Sequence, residues 1–294
     1  MSPSDFIHPE DAAALKHLES IPGFSTIMRK ILELGIEPMK YGINMASSIR
    51  LSEQQLPKLY RHLPPICKKL GIPEPDFYLQ MDPNPNAWTF GDNHIFITVT
   101  SGLVEMMDDN ELDAVIAHEC GHILCHHVLY HSIANVILNF SESLGLLGDL
   151  IVPFKFAFWY WQRKSELSCD RAACVVTSPE IVASVMARFS GGPKSLTDEI
   201  NMEVWAQQAE EYDKIYNGGT WNKTLQIAAT AGLDHPFSAV RVREILKWSK
   251  TEQYSILKKN VENHENCGFV YCKKCGKCVP RGSRFCPYCG TTVE

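Results

Sequence analysis

Residues 108–128 read DDNELDAVIAHECGHILCHHV, and the fold is decided by what this stretch becomes. Asp108, followed three residues later by Glu111, is a capping-box signal for the start of a helix. From there Leu112, Val115, Ile116, Ile123 and Leu124 recur at helical spacing and predict an amphipathic helix running to Val128. Inside it stands His118-Glu119-Cys120-Gly121-His122, an H-E-x-x-H pattern. A four-residue step brings His118 and His122 onto one face, one turn apart, as two imidazoles must be to share one Zn2+. Glu119, beside the first of them, is then placed to act as general base toward a water at the metal. A helix with two incidental histidines and a glutamate would read the same over five residues. A third ligand has to decide.

The whole chain bounds the possibilities. Its 294 residues, 45% hydrophobic and 21% charged, suit an ordinary globular protein with one large domain and appendages. The net charge of −6 is unevenly spread: residues 241–294 hold eleven Lys/Arg against five Asp/Glu, +6, which leaves −12 on residues 1–240. An acidic body argues against nucleic-acid binding there, though not by the basic tail. Six of the eleven cysteines follow residue 266. MSPSDFIHPEDAAAL has neither a basic n-region nor an apolar h-region, so a reducing, cytoplasmic setting is expected, with the clustered cysteines binding metal. Cys67, Cys120, Cys125, Cys169 and Cys174 read as small buried apolar residues.

Upstream, residues 8–70 look helical: a first helix after His8-Pro9, a second from Phe24 to Leu34 ended by Gly35, and a third from about Leu51, capped by Ser52 and interrupted at Pro64-Pro65. His8, His17 and His62 read as surface or packing residues. Asp76–Gln80 predicts a strand, and Ala87–Phe90 with His94–Thr100 predicts a hairpin turning at Gly91-Asp92-Asn93, its second strand half-buried. Residues 143–162, SLGLLGDLIVPFKFAFWYWQ, are apolar, but Asp149, Pro153 and Lys155 break the run a spanning helix needs. They predict a buried helical hairpin or an apolar flap, with peripheral membrane contact through their aromatics as the alternative. Helices resume over 163–190, about 197–216, 221–231 and from Val240 to Trp248. Polar residues 251–266 read as a linker.

For the third ligand, the extended pattern H-E-x-x-H-x-x-G-x-x-H fails, because Cys125 and Val128 stand where its glycine and histidine belong. Glu142 has nothing acidic one turn on. Glu166 has Asp170 there, so Glu166 can bind metal while Asp170 orients an imidazole. A surface pair flanked by Arg163 and Arg171 is the plain alternative. His126, His127 and His131 continue the helix and stay open as ligands, although His126 sits two turns from His118.

The ordered set of N-A-W at Asn86, G-L-V at Gly102, E-L-D-A-V-I-A-H-E-C-G-H, E-L-S-C-D at 166–170 and H-P at His235 followed by Arg241 resembles the metallopeptidases of the HtpX and CAAX prenyl protease type, gluzincins, over about residues 72–248. The resemblance implies an α+β, mainly helical, zincin-like domain with a small sheet. It implies Glu166 as third zinc ligand, Asp170 behind it, and His235 and Arg241 facing the zinc to stabilise an oxyanion. Membrane-embedded members carry clear spanning helices. None is convincing here, which implies a compact, soluble or peripheral member.

At the C-terminus, Cys272-x-x-Cys275-Gly276 and Cys286-x-x-Cys289-Gly290 are two knuckles of a zinc ribbon, a closed four-thiolate structural site, with Cys267 and Cys278 as spares. The expected organisation is a helical region over 1–71, a metallopeptidase domain over 72–250, a linker over 251–266 and the ribbon over 267–294. Two Zn2+ ions are expected, one catalytic and one structural. An extended protein or peptide substrate would pair with Ala87–Phe90, and a protein partner would engage the ribbon. The competing class is a scaffold that presents the ribbon without catalysis, for which a base at Glu119 has no use.

Overall fold

The computed structural model describes residues 3–33, 35–140, 146–217, 219, 237–266, 269–271, 278–280 and 283–292. The N-terminal region opens with α1 (Pro9–Glu19), whose cap His8 accepts a hydrogen bond from the Glu10 amide, and continues with α2 (Phe24–Glu33). A further helix, α3 (Ile36–Ser47), then starts directly after Gly35. The residues expected to begin a helix at Leu51 instead follow a two-residue strand, β1 (Ile49–Arg50), and Ser52 bridges to Gln55. Helix starts at α4 (Pro57–Tyr60) and α5 (Leu63–Leu70), each with proline in its first turn. The prolines read as an interruption are therefore an N-terminus, where a missing N–H costs nothing.

Strands β2 (Asp76–Gln80), β3 (Ala87–Phe90) and β4 (Phe96–Thr100) complete a sheet of order β1-β2-β4-β3. The predicted hairpin is present, with Ala87 opposite Val99 and Phe90 opposite Phe96, and β2 runs parallel to β4. The expectation of a half-buried second strand is corrected: every residue from Phe96 to Thr100 is buried. Ile97 and Val99 enter the main core, while α3 covers the other face, where Tyr41 packs on Phe96 and the Thr98 hydroxyl donates to Asn44. A strand covered on both sides need not alternate in polarity.

After α6 (Ser101–Met106) comes α7 (Asp109–Leu124), with both bonds of the predicted capping box made between Asp108 and Glu111. It is buried nearly all round rather than on one face, since α5, the sheet and two later helices surround it. It also ends earlier than expected: His126 is left-handed (φ 59°) and α8 (Val128–Phe140) starts a new direction. Of the 143–162 segment, residues 146–162 form the second arm of a helical hairpin, within α9 (Leu146–Val176), which runs unbroken through Pro153, and residues 143–145 lie outside the described residues. Its Phe154, Phe158 and Trp161 join Ile133 and Ile137 beneath α1 and α2, whose Leu18 and Phe24 close that cluster. No helix among the described residues is long and apolar enough to cross a membrane.

The chain continues through α10 (Pro179–Gly191), α11 (Lys194–Thr197), α12 (Met202–Asn217) and α13 (Ser238–Ser249). The expected linker is another correction: it is α14 (Glu252–Asn266), with Leu257 and Val261 buried in the main core. Its Lys258 donates to the carbonyls of Val175 and Thr177 and so caps the C-terminus of α9. That core also takes Phe6, Leu63, Ile66 and Leu70 from the N-terminal region. Last come the paired strands β5 (Phe269–Tyr271) and β6 (Cys278–Pro280).

Candidate metal centre

The site is built where α7 crosses α9. A Cβ on Gly121 would lie 3.0 Å from the Cα of Cys169 and 3.1 Å from the Cβ of Ala172, so glycine lets the two backbones approach this closely where a side chain would push them apart by a few tenths of an ångström. That approach brings the histidine face of α7 onto Glu166 and Asp170. His118 Nε2 lies 3.1 Å from Glu166 Oε2, and His122 Nε2 lies 3.3 Å from Glu166 Oε1. Donors held at about 2.0–2.2 Å in a tetrahedron stand about 3.3–3.6 Å apart, so both imidazole-to-carboxylate spacings are close to those of ligands sharing one ion. Two imidazoles and a carboxylate, leaving a fourth position open, are also a donor set suited to catalytic zinc.

The surroundings fit as well. His118 Nδ1 meets Asp170 Oδ1 at 3.1 Å, which fixes the ring so that Nε2 faces Glu166. Burial opposes a charge on His118, but Glu166 and Asp170 outweigh it and raise its pKa to about 10. The proton thus occupies the place a cation would take. Burial holds His122 below its ordinary value, so it supplies the neutral lone pair a metal requires. Its buried Nδ1 has no hydrogen-bond partner among the described residues.

Arg241 also makes contacts that the resemblance did not imply. It borders the cavity, but its Nε and Nη2 donate to Asp170 at 2.8 and 2.6 Å, and Nη1 lies 3.4 Å from Glu166 Oε2. Three of the five N–H groups of the guanidinium are thereby directed at the two carboxylates, so Arg241 braces the centre. Burial works against the charged Asp170, yet Arg241 holds its carboxyl below the usual carboxylate range. His235 lies outside the described residues, as do Glu142, Cys272, Cys275 and residues 221–231.

Glu119 also borders the cavity, and one of its oxygens is taken: Thr89 Oγ1 on β3 donates to Oε2 at 2.6 Å. Thr89 had no signal in the sequence beyond its place in a predicted strand. The other histidines resolve differently. Cys169 and His131 each come within 4.8 Å of ligand atoms of the centre. Yet the Cys169 thiol faces His127 at 3.7 Å, with its pKa pushed up by burial, and His131 Nε2 meets Ser165 at 2.8 Å. His127 pairs with Asp11 at 3.0 Å. His62 contacts Asp113 at 2.6 Å and His94 stacks on Tyr41, while His17 is exposed. The five internal cysteines are buried, as expected.

In the C-terminal segment, Cys286 is buried and Cys289 half-buried, and the Gly290 amide bonds back to the Cys286 carbonyl with φ of 71°. This is the tight left-handed turn a cysteine knuckle needs.

Comparison with known proteins gives a consistent set of matches. The family described as peptidase family M48 matches residues 53–249. The "Plastoglobule-localized metallopeptidase 48, chloroplastic" of Arabidopsis thaliana is 33% identical over 259 residues, 87% of this chain and 75% of that protein. A "Protease HtpX homolog" of Pelotomaculum thermopropionicum is 38% identical over 114 residues, 38% of this chain and 40% of that protein. One from Campylobacter curvus is 25% identical over 229 residues, 68% of this chain and 78% of that protein. No solved structure matches.

Proposed function

Since the chain belongs to peptidase family M48 and is a metallopeptidase, we propose that it is a zinc-dependent endopeptidase acting in the cavity between α7, α10 and the edge strand β3. The observation that carries this is the approach of His118 Nε2 and His122 Nε2 to the two oxygens of Glu166, at 3.1 and 3.3 Å, backed by Asp170 and Arg241. His118, His122 and Glu166 would hold the ion. When bound, zinc supplies a Lewis acid that polarises a carbonyl and acidifies water.

The chain's own groups do the rest. Glu119 accepts the proton of the attacking water and passes it to the leaving amine nitrogen. Thr89 keeps one Glu119 oxygen engaged and leaves Oε1 to handle that proton. Asp170 fixes the His118 ring, and Arg241 fixes Asp170 and Glu166. His235, at the family's position, would donate to the carbonyl oxygen as negative charge develops there. Strand β3 lies at the sheet edge with Ala87 on the cavity, a support for pairing with an extended peptide.

The knuckle turn at Gly290 supports a second, structural zinc held by Cys272, Cys275, Cys286 and Cys289, on a ribbon available to a protein partner. Phe156 and Tyr160, 54% and 46% exposed on successive turns of α9, together with a relative named for plastoglobules, support peripheral contact with a lipid surface.

The test is Glu119→Gln. The variant should retain its zinc and lose cleavage of an unfolded protein such as casein, by 10²-fold or more. Equal cleavage by variant and wild type would return the molecule to the scaffold reading.

A further inference from the structure

The two histidines of the centre are held by different means. Asp170 fixes the ring of His118, whereas His122, its Nδ1 without a hydrogen-bond partner among the described residues, sits against two further imidazoles. The His131 ring meets it edge-on with centroids 4.6 Å apart, and the His127 ring does so at 5.6 Å. Trp161 packs behind both, 4.8 Å from His131 and 5.6 Å from His127. His127 is joined to α7 by its backbone too. Its amide donates to the His122 carbonyl at 2.9 Å, the His126 amide donates to that of Ile123 at 3.1 Å, and His126 has φ of 59°. These bonds make a Schellman ending for α7, with a histidine where glycine is usual. A left-handed turn at a residue with a Cβ persists only where its surroundings hold it.

The anchor comes from near the start of the chain. Asp11 on α1 is 1% exposed, and its Oδ2 meets His127 Nε2 at 3.0 Å. The same oxygen accepts from the Ser168 hydroxyl at 2.5 Å, and Oδ1 accepts from Trp161 Nε1 at 3.1 Å. Ser168 stands midway between Glu166 and Asp170 on α9 and itself accepts from the His8 amide at 2.9 Å. Beside it, the Cys169 thiol faces His127 Nδ1 at 3.7 Å. An Nε2–H donated to Asp11 leaves Nδ1 to accept from that thiol, so one tautomer of His127 satisfies both contacts. A carboxylate in a first helical turn complements the helix dipole equally well from the surface, where the neighbouring Glu10 stands. The stability of α1 alone therefore does not account for burying Asp11.

From this we infer that Asp11 is a positioning residue of the metal centre: through His127 it fixes the end of α7 and the ring of His122, and through Ser168 it fixes the turn of α9 that carries Glu166 and Asp170. The inference rests on the metal ligands of the peptidase reading above. One carboxylate thus reaches both ligand-bearing helices, and a buried polar set with its bonds made is rigid. Rigidity matters here because a misplacement of about 1 Å at a reacting group can cost about 10²-fold in rate. Helix α1 thereby belongs to the centre, although the family match begins only at residue 53.

The experiment uses the full chain with Asp11→Asn and, as a control, Leu18→Ala. Leu18 is fully buried on α1 in the apolar cluster with Ile133 and Phe158, so its truncation loosens the same helix and leaves the polar set in place. Three readouts are compared at a temperature where both proteins stay folded: the visible absorption of the cobalt-substituted protein, zinc affinity against a chromophoric chelator, and kcat and KM on a fluorogenic casein peptide. Asp11→Asn should shift the cobalt bands, weaken zinc binding about tenfold and lower kcat about tenfold with KM unchanged. Leu18→Ala should lower the melting temperature and leave all three readouts as in the wild type. Unchanged cobalt bands and zinc affinity in Asp11→Asn overturn the inference, and so does the same shift in Leu18→Ala. If Asp11→Asn does not fold, Ser168→Ala, which frees Asp11 from α9, takes its place under the same two criteria. If the wild type cuts no peptide, shifted cobalt bands and weaker zinc binding in Asp11→Asn still support the inference, and the peptidase reading alone falls.

Discussion

Asp170→Asn separates what holds the fold from what holds the metal. Asp170 is 1% exposed and Arg241 7%, and they meet through two bonds of 2.6 and 2.8 Å. Removing one charge of such a pair typically costs about 3–5 kcal/mol, because the other stays buried and uncompensated. Glu166 Oε2, 3.4 Å from Arg241 Nη1, retains part of the compensation, which puts the expected loss near the lower end, about 3 kcal/mol. Urea unfolding of the metal-free protein measures it. The same change takes the carboxylate from His118 Nδ1, and losing such a partner weakens metal binding by about 10- to 100-fold. Competition with a chromophoric chelator measures that. Adding Arg241→Met then distinguishes the two effects. The double variant has no stranded cation, so most of the stability should return, while zinc binding should stay weak. Full recovery of zinc affinity in the double variant would refute the orienting role of Asp170. A loss under about 1 kcal/mol in the single variant would refute the buried pair.

Two other outcomes are expected. Thr89→Val should lower kcat about tenfold with KM and zinc content unchanged, since it frees the Glu119 carboxylate to rotate, and Thr89→Ser should restore most of the rate. A fall in zinc content instead would make Thr89 part of the metal support. In the metal-free protein the pKa of His118 is raised from 6.5 to about 10, as Glu166 and Asp170 prevail over burial. Its contribution to stability is therefore complete below pH 6.5 and is lost as pH rises toward 10. Zinc must displace the same proton, so zinc affinity should climb over that window while metal-free stability falls. A flat zinc affinity between pH 7 and 9 would show that His118 is not protonated there.

What the sequence determined by itself is the local chemistry. The capping box, the step from His118 to His122 and the step from Glu166 to Asp170 are spacings within one helix, and a helix repeats so regularly that three or four residues suffice to place side chains on one face. The strands β2, β3 and β4 were legible for the same reason. The tertiary structure alone decided how those faces meet. Thr89 reaches Glu119 across 30 residues, and Arg188 reaches Glu111 across 77. The bond from Arg241 to Asp170 spans 71, and it adds a bracing contact that the motif did not announce. A pattern read along the chain has no access to such pairs. The same limit made the residues of α14 look like a linker: 251–266 are mostly polar, and two apolar side chains, Leu257 and Val261, dock them on a core assembled from elsewhere. Periodicity reports which side of an element is apolar, whereas the partner that covers it is set only when the whole chain packs.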